Sequence, residues 1–224
     1  MMRSDSFSSS NSVGLYHAEN QDSFLDDPKN LLFAVADGVG GYSGAKEASL
    51  IAVDSLRSLA SEIHDEASFK SAVFEIHEKI RRRSYELGFE NMGTTLAAVK
   101  VLDLFDVLCL NVGDSPILHY SHGSIEAAYV DDSHRELDRS AMFGITQYLG
   151  LECDLEIHLR RLRCSKDDVL LLCSDGITDN LSSFRRYDEL ARLMLNHPRA
   201  EEIVKLAMQA GVKPDDMTCL LVYF

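Results

Sequence analysis

Four apolar runs in this sequence carry an aspartate at one end. In Leu31–Ser43, LLFAVADGVGGYS, the run Leu31–Ala36 stops at Asp37, followed at once by Gly38. Leu108–Ser115, LCLNVGDS, stops at Asp114, and Val169–Gly176, VLLLCSDG, stops at Asp175. Lys213–Val222, KPDDMTCLLV, is the mirror arrangement, with Asp215 and Asp216 just before the run. Short apolar runs of this kind read as buried strands. In an antiparallel sheet the end of one strand and the start of its neighbour share an edge, so the four acidic ends can converge. Carboxylates brought that close disfavour one another's charge unless a cation is held between them. A donor set made of oxygen alone favours Mg²⁺ or Mn²⁺ over zinc. Gly38 lets the backbone come close to whatever Asp37 holds, so its carbonyl can serve as a further oxygen ligand. A single Asp-Gly is more often a turn. Repetition at four run ends favours a divalent-metal site.

Positioning these ends requires strands, and the period of the sequence supplies them in blocks. Polar Met1–Ser12 reads either as a disordered tail or as a polar edge strand leading into Val13–Tyr16. After Gly44 the apolar residues repeat at three and four from Ala45 to Ile63, predicting an amphipathic helix. A second helix follows, with Ser68 as N-cap, a stripe from Phe69 to Leu87, and Gly88 as its end. Thr94–Val101 and Phe105–Val112 read as a hairpin around Leu102–Asp103. Pro116–Tyr120 and Ile125–Val130 follow, joined by a turn near His122–Gly123. Asp131–Gly150 has no sustained period, and Leu155–Leu162 and Asp168–Cys173 are two more strands. Helical stripes at Tyr187–Met194 and Ile203–Met208, the latter closed by Gly211, precede a last strand, Cys219–Val222. The segregated order predicts an α+β fold, mostly antiparallel sheet covered by two helix pairs, in a single domain over 1–224. His64, His77 and His158 read as surface residues.

A formal net charge of -14 over 224 residues argues against a nucleic-acid partner. No run reaches membrane-spanning length, and Met1–Ser12 lacks the apolar centre of a signal peptide. The five cysteines form no CxxC pair, and Cys109, Cys173 and Cys219 sit inside apolar runs as small hydrophobes. An odd count without framework spacing suits a reducing, cytoplasmic setting. A cysteine-based phosphoryl mechanism finds no support, because Cys153 and Arg160 flank an alternating pattern without a phosphate-cradling glycine loop.

Six motifs in order along the chain resemble the metal-dependent serine/threonine protein phosphatases, the PPM family. They are Asn20-Gln21-Asp22-Ser23, Ala36-Asp37-Gly38-Val39-Gly40-Gly41, Gly93-Thr94-Thr95, Val112-Gly113-Asp114-Ser115, Ser174-Asp175-Gly176 and Asp215-Asp216-Met217-Thr218. The resemblance implies a four-layer α/β/β/α sandwich with two Mn²⁺ or Mg²⁺ ions at one end. By the same resemblance Asp37 would bridge both ions, Asp175 and Asp215 would complete the first, and the Gly38 carbonyl would serve the second. Asp114 with Asp175 would offer a weaker third position. Gln21 and Asp22 would orient the attacking water, whose pKa a metal pair lowers. The implied substrate is a phosphoserine or phosphothreonine protein, itself the target of a serine/threonine kinase.

Three departures from the family pattern bear on substrate recognition. His17 stands where the family usually carries a phosphate-binding arginine, and Pro116 follows the Gly-Asp-Ser motif in place of another. Asp131-Asp132-Ser133-His134 resembles a rearranged Asp-His-Ser, with His134 read as a surface histidine in preference to a proton donor, and the flap segment 131–150 is shorter than in family members. His17 and Pro116 support a rival reading, a pseudo-phosphatase that binds a phosphoprotein without turnover. The retained aspartates favour the enzyme.

Overall fold

The computed structural model describes residues 2–10, 19–39, 43–89, 91–129, 135–137, 143–181 and 184–224. In chain order these form β1 (Arg3–Ser10), β2 (Ser23–Asp27) and β3 (Leu32–Ala36), then helices α1 (Ala45–Ser58) and α2 (Glu66–Leu87). Next come β4 (Leu96–Asp103), β5 (Asp106–Val112), β6 (Ile117–Ser121) and β7 (Ser124–Tyr129). The short strands β8 (Arg135–Leu137) and β9 (Phe143–Ile145) precede β10 (His158–Arg163) and β11 (Val169–Cys173). Helices α3 (Asp175–Leu181), α4 (Phe184–Met194) and α5 (Ala200–Ala210) lead to β12 (Asp216–Tyr223).

Two five-stranded antiparallel sheets, β1-β12-β11-β6-β7 and β10-β5-β4-β3-β2, form the sandwich, and β8 pairs with β9 apart from them. Side-chain alternation along each central strand makes the layers. Leu32, Ala34 and Ala36 of β3 face α1 and α2, packing with Leu56, Phe69 and Ile76. Phe33 and Val35, between them in sequence, face the other sheet and meet Leu170, Leu172 and Leu220. On the far side Leu171 and Cys173 of β11 and Leu221 of β12 pack under α3, α4 and α5. Strands buried on both faces carry no polar alternation, which is why they appear in the sequence as continuous apolar runs. Each buried Leu, Ile or Phe in these layers contributes roughly 1.5–3 kcal/mol.

The fold is α+β, as expected, with corrections at particular elements. One face carries three helices, not a pair, because α3 begins at Asp175, where only a strand end was foreseen. The N-cap of α2 is Asp65: its side chain accepts from the Ser68 amide while Ser68 Oγ accepts from the Asp65 amide. Ser68 is therefore the third helical residue of a capping box. Gly88 does end α2, in the left-handed conformation. The serine-rich start is an edge strand. Its even-numbered residues turn inward, with Ser4 and Ser6 donating to Asp26 at 2.6 and 3.1 Å and Ser8 Oγ meeting Thr218 Oγ1 at 2.7 Å. Asp131–Gly150 is less irregular than its composition suggests, since it holds β8, β9 and a bridge between Leu149 and Thr94. His77 is buried, and its Nδ1 accepts the Gly150 amide at 3.1 Å, tying α2 to the segment after β9. Cys109, Cys173 and Cys219 are buried and free, as their strand settings predicted.

Asp168 locks the entry to β11. It accepts from Ser121 Oγ at 2.7 Å and the Ser165 amide at 2.8 Å, and lies 2.9 Å from His119 Nε2. Burial alone would raise its carboxyl, but these partners outweigh burial and hold it below the usual carboxylate value. A carboxyl whose folded pKa is depressed contributes stability that is present above the unfolded pKa and lost as pH falls through the folded one. Asp168→Asn should therefore lower unfolding free energy at pH 7 by about 1–3 kcal/mol. Urea melts below pH 4 should show the gap to wild type closing. A gap that is constant with pH would refute the charge-based account.

Candidate metal centre

The strand registers bring the acidic ends together. Ser23 pairs with Ala36, so Asp22, just before β2, lies alongside Asp37, just after β3. Cys173 pairs with Cys219, which sets Asp175 beside the start of β12 and Asp215–Asp216. Leu96 pairs with Val112, which carries Asp114 to the same edge as Thr94 and Thr95. Asp22, Asp37 and Asp114 thus come from one sheet, and Asp175, Asp215 and Asp216 from the other. The Gln21 amide donates to Asp216 Oδ2 at 2.7 Å and ties the two sheets across the cluster.

Neutral hydroxyls hold the carboxylates in place. The Asp37 amide donates to Thr95 Oγ1 at 3.0 Å, and the Asp37 carbonyl accepts from Thr94 Oγ1 at 2.8 Å and from the Thr95 amide at 2.8 Å. Thr95 Oγ1 is braced in turn by Ser115 Oγ at 2.7 Å, and Asn111 Nδ2 donates to the Ser115 carbonyl at 2.6 Å. On the opposite sheet Ser174 Oγ donates to Asp22 Oδ2 at 2.8 Å and accepts the Thr218 amide at 2.9 Å. The Gly-Thr-Thr, Gly-Asp-Ser and Ser-Asp-Gly motifs thereby acquire a physical reason: their hydroxyls fix the backbone around the aspartates.

Gly38 carries no side chain because none fits. A Cβ there would stand 2.5 Å from the Ala45 carbonyl oxygen and 2.9 Å from that of Gln21. Its bridge to Thr94 runs through the flanking Asp37 carbonyl and Val39 amide. The peptide groups of Gly38 itself therefore point away from β4.

The electrostatics are those of crowded, half-buried acids. Burial first, then the charges of Asp22, Asp175, Asp215 and Asp114, push the Asp37 carboxyl well above its ordinary value. Asp22 is raised as well, by burial against the favourable bonds from Thr218 and Ser174. Burial and then Asp114 raise Asp175, and Lys213 pulls the other way. Asp22 is almost wholly buried, and its Oδ1 has no hydrogen-bond partner. An orphaned buried carboxylate oxygen beside four more carboxylates is a donor set suited to a hard divalent cation.

Of the candidate residues, Gln21, Asp22, Asp37, Gly38, Asp114, Asp175 and Asp215 lie in or beside this cluster. His17 and His134 fall outside the described residues. Sequence reading did not single out Lys213, whose Nζ contacts Asp215 at 2.7 Å and Asp175 and Asp179 at 3.2 Å. It also missed Asn180, buried in α3, whose side chain bonds Gly176 and the loop at Val212 and Lys213. A lone Asn or Lys in a polar stretch carries no sequence signal of such a contact.

Comparison with known proteins gives one consistent result. A family model described as Protein phosphatase 2C matches residues 16–212. The serine/threonine phosphatase stp of Listeria welshimeri is 26% identical over 92% of this chain and 90% of its own length. The solved structure of PppA, described as a key regulatory component of T6SS in Pseudomonas aeruginosa, superposes with a TM-score of 0.84. It is 28% identical and covers 99% of this chain and 97% of its own. The catalytic domain of the serine threonine protein phosphatase PstP, solved in complex with 2 manganese ions, gives a TM-score of 0.70. It is 25% identical, over 99% of this chain and 97% of that one.

Proposed function

This chain belongs to the protein phosphatase 2C family, and from that premise we propose that its clustered aspartates hold two Mn²⁺ or Mg²⁺ ions for the hydrolysis of phosphoserine and phosphothreonine. It is a protein serine/threonine phosphatase of the bacterial type, so its substrates are phosphoproteins. The observation that carries the metal assignment is the meeting of Asp37 with Asp22, Asp114, Asp175 and Asp215 from two sheets, Asp22 bringing a buried, unpartnered oxygen. Asp37 would bridge, Asp175 and Asp215 would complete one position, and the Gly38 carbonyl would serve the other. Asp114 with Asp175 would offer a third. When bound, such ions supply Lewis-acid polarisation of phosphoryl oxygens and lower the pKa of water.

The chain's own residues do the rest. Asp22 and Gln21 orient the attacking water, and burial of Asp22 makes it a better proton acceptor than an exposed aspartate. His17, at the spacing of the missing arginine, would offer one hydrogen bond to the outer phosphate oxygens where arginine offers two. The short segment 131–150 leaves fewer side chains to read the sequence beside the phosphate, so selectivity would rest on docking elsewhere. The domain spans 1–224. A cytoplasmic setting, which five free cysteines suit, and a partner serine/threonine kinase belong to the same reading. Among the described residues no helix is long and apolar enough to cross a membrane.

The test is hydrolysis of a phosphothreonine peptide and of p-nitrophenyl phosphate by the full chain in EDTA and after Mn²⁺ or Mg²⁺ addition. Activity should vanish in chelator and return with either ion. Activity untouched by EDTA would overturn the metal reading, and Mn²⁺-dependent peptide binding without turnover would favour the pseudo-phosphatase.

A further inference from the structure

One basic side chain stands inside the acidic cluster. Lys213 Nζ lies within 2.7–3.2 Å of oxygens from Asp215, Asp175 and Asp179, the first two being residues assigned above to a metal position. Its backbone is clamped. Asn180 Oδ1 accepts the amides of Val212 and Lys213 at 2.8 and 2.9 Å, and Asn180 Nδ2 donates to the Lys213 carbonyl at 2.9 Å and to the Gly176 carbonyl at 2.8 Å. Pro214 then fixes the chain direction before Asp215. The loop is therefore pinned to the helix that begins with Asp175, and the lysine stem can reach the carboxylates only from this side. The stem is 43% exposed, which leaves the ammonium a path into solvent.

An ammonium and a divalent cation cannot share the same carboxylate oxygens without strong repulsion. We propose that Lys213 is a counter-ion built into the chain, occupying Asp175 and Asp215 until a divalent cation displaces it, and so setting how much metal the protein needs to load. The proposal rests on the metal assignment above. Lys213 would offset part of the carboxylate repulsion in a chain of net charge -14 when metal is scarce. Without Lys213, Asp175 and Asp215 would face Asp37 and Asp114 with one positive charge fewer to offset theirs. With it, metal loading carries the added cost of breaking the ion pairs to Asp175 and Asp215. The device makes the enzyme responsive to the concentration of free divalent ion.

Three variants separate this role from a packing role. Lys213→Met keeps the stem and removes the charge, Lys213→Gln does so with a polar end, and Lys213→Arg keeps the charge. Mn²⁺ affinity is read by titration calorimetry on chelator-stripped full-length protein, and thermal midpoints are read in EDTA and at saturating Mn²⁺. Lys213→Met and Lys213→Gln should bind Mn²⁺ about tenfold or more tightly than wild type, the scale of one lost charge-assisted contact. Both should melt lower than wild type in EDTA and level with it in Mn²⁺, whereas Lys213→Arg should track wild type throughout. Unchanged or weaker Mn²⁺ binding in the neutral variants, or an equal loss of midpoint with and without Mn²⁺, would overturn the counter-ion role while leaving the metal centre intact. Absence of Mn²⁺ binding by wild type itself would overturn the metal assignment and this inference with it.

Discussion

Asp37→Asn should cut Mn²⁺-supported hydrolysis of p-nitrophenyl phosphate by about a thousandfold or more, since loss of a bridging carboxylate removes several kcal/mol of transition-state charge stabilisation. The same substitution should leave the fold in place. Asp37 is held through its backbone, by Thr94 and Thr95, and those bonds do not involve its carboxylate. Its charge, by contrast, is opposed by Asp22, Asp175, Asp215 and Asp114. In EDTA the variant should therefore melt at or above the wild-type temperature, while its Mn²⁺-induced stabilisation shrinks. That combination of lost activity with gained stability is the signature of a residue kept for chemistry. Turnover within tenfold of wild type at saturating Mn²⁺ would remove Asp37 from the metal site.

Gly176→Ala should damage the same site without touching a charge. A Cβ at Gly176 would stand 2.0 Å from the Asp216 carbonyl oxygen and 3.2 Å from Asp215 Cβ. Backbone cannot yield that distance locally, so the start of β12 must move away from α3 and carry Asp215 from Asp175. Overpacking of this kind costs about 1–3 kcal/mol of stability. A displacement near an ångström in the catalytic arrangement costs roughly a hundredfold in rate. Urea denaturation and Mn²⁺ titration of the variant would show both effects. Gly88→Ala is the control, because a Cβ there meets nothing within 4 Å and only the positive φ of 68° is strained. Wild-type Mn²⁺ affinity in Gly176→Ala would mean that the close approach of α3 to β12 does not set the site.

The aspartates were readable because each ends or begins a run buried on both faces, and a charge at such a boundary stands out against its neighbours. Antiparallel pairing brings the boundaries within each sheet to one edge, and the packing of the two sheets sets those edges against each other. Helix α3 was not readable. Its residues Asp175-Gly176-Ile177-Thr178-Asp179-Asn180-Leu181 have poor helix propensity, and the helix persists because Asn180 ties it to the loop before β12. Lys213 was hidden because two of its three carboxylate partners, Asp179 and Asp175, lie 34 and 38 residues away in sequence. The cap of α2 shows a smaller failure. Asp65 and Ser68 are both good capping residues, and only geometry shows that they occupy the two ends of one box. His77 falls on the buried period of α2, four residues after Val73 and three before Ile80, so its spacing already pointed inward, and only its bond to Gly150, made across 73 residues, was hidden.

The serine-rich first strand bears on solubility. β12, with Cys219–Tyr223 at its centre, is buried along its whole length and would template pairing with other chains if its edge lay open. β1 covers that edge residue for residue, from Arg3 opposite Tyr223 to Ser10 opposite Asp216. What β1 then presents outward is a backbone edge built from Arg3, Asp5 and five serines, with Phe7 packed against the core. Its inward hydroxyls are already committed to Asp26 and Thr218, so a second chain aligning there would gain little apolar burial. The polar strand thus lets a highly apolar sheet end in water without recruiting copies of itself.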